Sequence, residues 1–311
     1  MLKRGVYTAE MYAENAAASR LFRRTRFAYT LLRTSSPPSR AEIDRFEYIL
    51  QHLGLSGGVF RTTMPRRFES LDAFLMPILE AQFPRDTALL AEDWAASACV
   101  TSAEWFQLLV KSFPSARLTA SDLYLHLTEI ILPPGQGSYI VQPDGLPIQY
   151  IKPPFVIPLT RGEVALFPVN RWLQMRAMKR FKQIKGHAEE RIPLVHPTAL
   201  ELSHTHPAFR IEEHSIFEPR PERCHVIRSM NILNRSYFDA SLLISSMRAI
   251  WQSLEMHGLW MVGRTLEERK GETPALHHAS VLEKTPEGFR LRERYVSASE
   301  VEDLALALRI G

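Results

Sequence analysis

Apolar and polar positions in much of the chain follow the pattern of strands that alternate with helices. A short apolar run at 89–91 leads into two acids, Glu92 and Asp93, and after Trp94 come small residues and an amphipathic segment from Ala103. This order predicts a buried strand, a tight turn and a helix. A second predicted strand, 116–121, ends on Asp122. Later segments with the same signals predict strands at 209–213, 224–230 and 258–263 and a helix at 240–255.

The last two apolar segments, 278–283 and 289–295, flank a turn sequence that contains Pro286-Glu287-Gly288. This arrangement predicts an antiparallel hairpin. Strands alternating with helices predict a doubly wound α/β sheet, and the hairpin would form its antiparallel edge at 278–295.

The N-terminal third has helical periodicity at about 8–33, 40–53 and 71–82. We interpret 1–85 as a helical cap and 86–311 as the main domain. An insertion at 123–208 would carry a hairpin around Pro143-Asp144-Gly145 and a basic amphipathic helix at 171–185. We expect the cap and the insertion to cover the carboxyl edge of the sheet, because the insertion leaves it directly after Asp122.

The composition adds limits on compartment and chemistry. The 311 residues are 45% hydrophobic, carry a net charge of +4 and include two cysteines, Cys99 and Cys224. Two cysteines are too few for a disulfide framework or for a cysteine-based zinc-binding motif, which indicates a reducing compartment. The first residues lack a signal-peptide pattern, and no segment has the length and apolarity of a membrane span, so a cytoplasmic protein is expected.

Two stretches of the second half resemble a known family. Val226-Ile227-Arg228-Ser229-Met230-Asn231-Ile232-Leu233-Asn234-Arg235-Ser236-Tyr237-Phe238 and His257-Gly258-Leu259-Trp260-Met261-Val262-Gly263 are similar to class I S-adenosylmethionine-dependent methyltransferases. Within that class they are most similar to the chemotaxis receptor methyltransferases, whose signatures are Arg-Asn-X-Leu-X-X-Tyr-Phe and Gly-Leu-X-X-X-Gly. The resemblance covers about 88–122 and 209–296. It implies a Rossmann-like sheet of seven strands, with the helical N-terminal region and the inserted hairpin-plus-helix segment added to it.

The resemblance also implies S-adenosylmethionine as cofactor and gives each site residue a role. Asp93 corresponds to the acid at the end of the first strand, and Asp122 to the acid that holds the ribose. Asn231 corresponds to the residue beside the methionine end of the cofactor. The remaining implied cofactor residues are Ala95, Ser97 and Cys99 at three positions where the family prefers glycine, Leu123 after the ribose acid, and Ser215 and Ile216 near the adenine. Asn234 and Tyr237 are candidate substrate-binding residues.

The departures from the family pattern leave a second function open. Ala95 in place of glycine adds a methyl group against the ligand, or strain if φ is positive. Ser215 stands where the family usually has an acid, and it can hydrogen-bond without charge. The alternative to an enzyme is therefore a degenerate methyltransferase fold that acts as a binding or scaffold protein.

Other motifs narrow the function. His204-Thr205-His206 has no accompanying acid–histidine helix motif, so no metal site is expected. No nucleophile elbow or phosphate-binding loop supports a hydrolase or a nucleoside triphosphatase.

The basic segments Arg20–Arg26 and 171–185 leave a third possible function, a protein that binds nucleic acid or a lipid surface, although nucleic acid is not the expected partner. No side chain is singled out as a catalytic base. The methyl acceptor, a small molecule or a protein side chain, and the oligomeric state stay open.

Overall fold

The computed structural model describes residues 3–4, 27–51, 53, 55, 64–153, 155–159, 168–184, 187–266 and 276–310. Most of the predicted 8–33 helix (residues 8–26), the Arg20–Arg26 run and the glycines at 54, 57 and 58 lie outside these residues. The chain divides into two compact units. The antiparallel unit comprises Met1–Thr63 and Tyr124–Pro197, and the parallel unit comprises Met64–Leu123 and Thr198–Gly311.

The strands are β1 Lys3–Arg4, β2 Leu90–Trp94, β3 Arg117–Asp122, β4 His126–Ile131, β5 Ser138–Val141, β6 Pro147–Lys152, β7 Phe155–Pro158, β8 Ala188–Pro193, β9 Phe209–Glu213, β10 Cys224–Met230, β11 Leu254–Thr265, β12 His277–Thr285 and β13 Gly288–Tyr295. The α-helices are α1 Arg40–Leu50, α2 Glu69–Gln82, α3 Val100–Ser112, α4 Pro168–Phe181, α5 Pro197–Thr205, α6 Ala240–Ser253 and α7 Glu302–Ala307. None of the described helices has the length and apolarity needed to cross a membrane.

The parallel unit contains a seven-stranded sheet in the order β13-β12-β11-β10-β2-β3-β9. The five strands from β9 to β11 run parallel, and β12 and β13 are antiparallel to their neighbours. The predicted doubly wound, Rossmann-like sheet and its antiparallel edge are therefore confirmed. Gly288 permits the tight β12–β13 turn, because its φ is +149° and a Cβ there would lie 2.4 Å from the carbonyl oxygen of Leu308.

One face of this sheet forms the main core with α6 and α7. Trp94, Ile227 and Trp260 pack in one buried cluster with Met247 and Ile250 of α6. The helix starts where the sequence indicates, because Asp239 caps it and accepts a hydrogen bond from the Leu242 N–H at 2.9 Å. Burial of this apolar face fixes α6 against the central strands.

The antiparallel unit contains a six-stranded sheet in the order β1-β7-β6-β5-β4-β8. The predicted hairpin is present as β5 and β6. Its turn has Gly145 at φ +83°, and the Asp144 carboxylate accepts a hydrogen bond from the Leu146 N–H at 3.0 Å. A hairpin and a helix describe the insertion incompletely, since β4, β7 and β8 add three strands. The charged sequence of β8, Ala-Glu-Glu-Arg-Ile-Pro, lacks the alternation from which strands are predicted.

The N-terminal helices differ in part from the prediction. The α1 helix begins at a capping box formed by Ser39 and Glu42, and it ends at Leu50 rather than at Leu53. The described end of the predicted 8–33 helix, residues 27–33, is not α-helical, because Ala28 is extended and a 3₁₀ turn follows at Tyr29–Leu32. The predicted 1–85 segment is shared between the units, since α2 belongs to the parallel unit.

Candidate functional site

The order in which the chain adds strands to the sheet changes direction between the parallel strands β2 and β10. From β2 the chain passes to β3 and then to β9 on one side, and β10 pairs with the other side of β2. Trp94 is opposite Ser121 of β3 and Ser229 of β10, so three strands end together. In open α/β sheets such a reversal leaves a crevice beyond the carboxyl ends of the strands, where ligands bind. The candidate site therefore lies at the ends of β2, β3 and β10.

The loop after β2 has an unusual backbone. Ala95, Ser97 and Cys99 have φ values of +57°, +55° and +61°. Residues other than glycine enter this left-handed region at a cost of roughly 1–2 kcal/mol each. These are the three positions where the resembled family prefers glycine. The loop thus keeps the conformation that glycine adopts without strain, although no glycine is present.

Hydrogen bonds fasten this loop to the end of β3. The Asp122 Oδ2 atom accepts a hydrogen bond from the Ser97 N–H at 2.8 Å. The Ala96 N–H donates to the Ser121 carbonyl oxygen, also at 2.8 Å. Asp122 is half-buried, and the next side chain, Leu123, is 56% exposed. An acid and an exposed apolar side chain thus lie together at the tip of β3, beside the left-handed loop.

Asp93 is placed differently, because its carboxylate is buried. The Arg228 Nε donates to Oδ1 at 3.1 Å, and the Arg228 Nη2 donates to Oδ2 at 2.6 Å. The Ser102 hydroxyl donates to Oδ2 at 2.6 Å. Asp93 is 3% exposed. The structure therefore uses this carboxylate to neutralise an arginine inside the unit.

A second acid completes this buried cluster. The Arg228 Nη1 also hydrogen-bonds Asp72 of α2, and the guanidinium lies 4.5 Å from the centre of the Trp105 ring. Burial raises the pKa of Asp72 to about 6, although the Arg228 charge opposes this shift. Two carboxylates thus share one cation. A lone arginine within an apolar strand needs a buried acid as partner, so Arg228 is the sequence signal for this cluster.

Asn231 follows β10 and joins it to β11. Its backbone is left-handed, with φ +63°, and its N–H donates to the Gly263 carbonyl oxygen at 2.8 Å. The side-chain Oδ1 accepts from the Thr265 N–H at 2.6 Å, and Nδ2 donates to the Thr265 hydroxyl at 3.1 Å. The Thr265 hydroxyl is also 3.1 Å from the Nδ1 of buried His277. Both polar ends of the Asn231 side chain are therefore engaged with β11.

The two candidate substrate residues have different surroundings. Asn234 is 3% exposed, and its Oδ1 accepts hydrogen bonds from the N–H groups of Ser236 and Tyr237 at 3.0 and 3.1 Å. Its side chain folds the turn that leads to α6. Tyr237 is 42% exposed. Of these two side chains, only that of Tyr237 is accessible at the surface.

Residues 214–216 follow β9 and lie beside the end of β3. The His214 N–H donates to the Asp122 carbonyl oxygen at 3.0 Å, and the Ser215 hydroxyl accepts from the Phe217 N–H at 3.3 Å. The Ile216 carbonyl oxygen accepts from the Ser246 hydroxyl of α6 at 2.9 Å. Burial lowers the pKa of His214 to about 4, with the Arg220 charge as a further cause. His214 is therefore neutral at pH 7.

The site residues fit one half of an adenosyl cofactor better than the other. The left-handed loop, Asp122 and Leu123 meet at the tip of β3, where α/β sheets hold a ribose and its base. At the ends of β2 and β10 the side chains of Asp93 and Asn231 already hydrogen-bond other groups of the protein. Among the described residues, no group of three or more histidines, cysteines and acids could hold a metal ion.

No protein-family profile matches the chain, and no curated protein matches it in sequence. Solved methyltransferase structures do show similarity. CalS10, an amino pentose methyltransferase from Micromonospora echinaspora, is 9% identical over 73% of this chain and 68% of its own, with a TM-score of 0.31. NcsB1, an O-methyltransferase from neocarzinostatin biosynthesis, is 13% identical over 65% of this chain, with a TM-score of 0.28.

A third similar structure is a provisional sarcosine dimethylglycine methyltransferase from Galdieria sulphuraria, with 11% identity over 65% of this chain and a TM-score of 0.33. The chain spans 49% of that protein and 43% of NcsB1. The narrower resemblance to chemotaxis receptor methyltransferases stays a prediction.

Proposed function

We propose that the protein is an S-adenosylmethionine-dependent methyltransferase that acts on a small molecule or a protein side chain. The observation that carries the proposal is the loop after β2, where three residues other than glycine keep left-handed φ values at the reversal of strand order. Such strain persists only where the surrounding structure imposes it, and it is concentrated at functional sites. The bond from Ser97 to Asp122 places this loop beside the acid.

In this proposal the residues at the tip of β3 bind the nucleoside. Asp122 accepts hydrogen bonds from the two ribose hydroxyls, and the exposed Leu123 side chain covers one face of the adenine. The Ala95–Cys99 loop approaches the cofactor through its backbone, since Cys99 is fully buried and points away from solvent. Ser215 and Ile216 close the adenine side.

The end of β10 would bind the methionine part through the backbone. Asn231 hydrogen-bonds Thr265 and so holds the end of β10 against β11. The Arg228 guanidinium neutralises the Asp93 carboxylate, which therefore attracts the ammonium group of the cofactor only weakly. S-adenosylmethionine supplies an activated methyl group on a sulfonium when it is bound. The work of the protein is then to orient the acceptor and to exclude water. Tyr237 is the exposed residue proposed to contact the acceptor.

Calorimetric titration of the full chain with S-adenosylmethionine and S-adenosylhomocysteine tests the proposal. Asp122→Ala should weaken binding by about one to two powers of ten, because charge-assisted hydrogen bonds contribute roughly 1.5–3 kcal/mol. Asp86→Ala is the matched control, since Asp86 is an exposed acid at the other end of β2. Its affinity should equal that of the wild type.

Two results would contradict the proposal. If the wild type binds neither ligand, the loop does not serve as a cofactor site, and the scaffold alternative replaces the enzyme. If the wild type binds and Asp122→Ala binds equally well, the ribose role of Asp122 is wrong. A Cys99→Gly/Ser215→Asp variant separates a weakened site from an absent one, because a weakened site should gain affinity.

A further inference from the structure

The outer face of α4 exposes two large apolar side chains. Trp172 is 51% exposed and Met175 is 57% exposed, and their spacing of three residues puts them side by side on the helix. Single exposed apolar residues are ordinary, but an adjacent tryptophan and methionine on one helix face form a small apolar patch.

The opposite face of α4 is already packed. Ala177 is 4% exposed, and the Tyr139 hydroxyl donates to its carbonyl oxygen at 2.8 Å. The Phe181 ring lies 5.2 Å from the Tyr139 ring. These contacts fix the rotation of the helix on the antiparallel sheet, so Trp172 and Met175 belong to its outward face.

Cations surround the apolar pair. The segment 164–188 contains six arginines and lysines and no acid. The structure describes five of the six, and four of these five are exposed, namely Arg171, Arg176, Lys179 and Lys182. In the described part of the chain none of the four has an acid partner, and the Arg176 guanidinium lies 5.3 Å from the Trp172 ring. The outward face, defined as these four residues with Trp172 and Met175, is thus both basic and apolar.

We propose that this α4 face docks on an anionic phospholipid surface. The cations meet the headgroups, and Trp172 and Met175 enter the boundary between headgroups and acyl chains, as in interfacial amphipathic helices. The helix has 14 residues and a length of about 21 Å, too short for a span, so it lies in the plane of the surface. A nucleic acid would also meet the charges and stack on Trp172, but it offers no apolar environment for Met175.

Cosedimentation of the full chain with vesicles tests the proposal. Vesicles of phosphatidylserine and phosphatidylcholine should bind the protein, and vesicles of phosphatidylcholine alone should not. Arg176→Gln/Lys179→Gln should weaken binding by roughly 30-fold, because each cation near an anionic surface contributes about fivefold. The matched control is Arg117→Gln/Arg210→Gln, which removes two exposed charges from the parallel unit and should change binding less than twofold.

Tryptophan fluorescence gives a second readout. Trp94, Trp105 and Trp260 are at most 1% exposed, whereas Trp172 is accessible. Brominated lipid should therefore quench the emission of the wild type on anionic vesicles. Trp172→Phe should lose most of this quenching while it still binds.

Three outcomes would overturn the proposal. The first is equal binding to the two kinds of vesicle. The second is an equal loss of binding in the control variant. The third is binding to a single-stranded RNA oligomer without binding to anionic vesicles, which would make the α4 face a nucleic-acid surface. Circular dichroism of each variant shows whether it is folded as the wild type is.

Discussion

Asp93 and Asp122 are two acids at the ends of neighbouring parallel strands, and they differ in what surrounds them. Asp93 is 3% exposed and is held by Arg228 and Ser102. Asp122 is half-buried and holds the backbone of Ser97. In sequence both have the form of a strand followed by an acid at the carboxyl edge. The difference arises from one cation on β10, which reaches Asp93 and so turns it into part of the interior.

This difference shows that an acid at a strand end becomes part of the interior when a buried cation pairs with it. A buried carboxylate must be paired, since an isolated charge is costly in the protein interior. Arg228 provides the pair for Asp93, and Asp72 of α2 joins them. An ion pair thus joins the ends of β2 and β10, whereas Asp122 at the end of β3 is half-buried. Three variants test the comparison, in order of decreasing expected effect.

The largest effect is expected for Arg228→Met, which leaves two buried carboxylates without their cation. Breaking a buried pair in this way costs about 3–5 kcal/mol of unfolding free energy. Urea unfolding can be followed by tryptophan emission, because four of the five tryptophans lie in the parallel unit. Asp122→Asn should cost only about 1 kcal/mol in the same assay.

The control for this prediction is the triple variant Asp72→Asn/Asp93→Asn/Arg228→Met. It should recover part of the lost stability, since no buried charge stays unpaired. A cost below about 1 kcal/mol for Arg228→Met would contradict the assignment of Asp93 to a buried ion cluster.

The second effect is a dependence of stability on pH. The pKa of Asp72 is raised to about 6 in the folded protein, from 3.8 as its ordinary value. A raised carboxyl pKa favours the protonated folded form. The stability it contributes is complete only below the unfolded pKa of 3.8, and about 3 kcal/mol of it is lost as the pH rises from there through the folded pKa of about 6.

The measurement compares the wild type with Asp72→Asn by urea unfolding at several values between pH 4 and pH 7. The difference in unfolding free energy between the two proteins should change across this window, because the amide does not titrate. A constant difference would show that Asp72 keeps an ordinary pKa and that Arg228 compensates both acids fully.

The smallest effect is expected in the loop that Asp122 holds. Ala95→Gly should stabilise the protein by about 0.5 kcal/mol, because relief of the left-handed strain exceeds the added entropy of the unfolded chain. Cys99→Gly relieves the same strain but removes a fully buried side chain, so it should be neutral or destabilising. Thermal unfolding of the two variants measures this contrast. Destabilisation by Ala95→Gly would show that the backbone there is not strained.

Prediction of the parallel sheet succeeded because its signals are local. The strands at 209–213 and 224–230 were predicted with the bounds that the structure has, and the β12–β13 hairpin follows from its turn residues. The antiparallel unit was predicted less well, since β4 and β8 pair across more than fifty residues of chain. Their pairing depends on neighbours that periodicity within one segment does not identify.

The sequence by itself determined the alternation of strands and helices, the acids at the ends of β2 and β3, and the cationic, acid-free segment around α4. These are properties of short segments, and propensity and periodicity express them directly. Only the tertiary structure decided that Arg228 would neutralise Asp93 from 135 residues away, and that Asn231 would bind Thr265 rather than stay accessible. The physical reason is that burial and charge pairing depend on which groups the fold brings together, and that proximity is not encoded within any one segment.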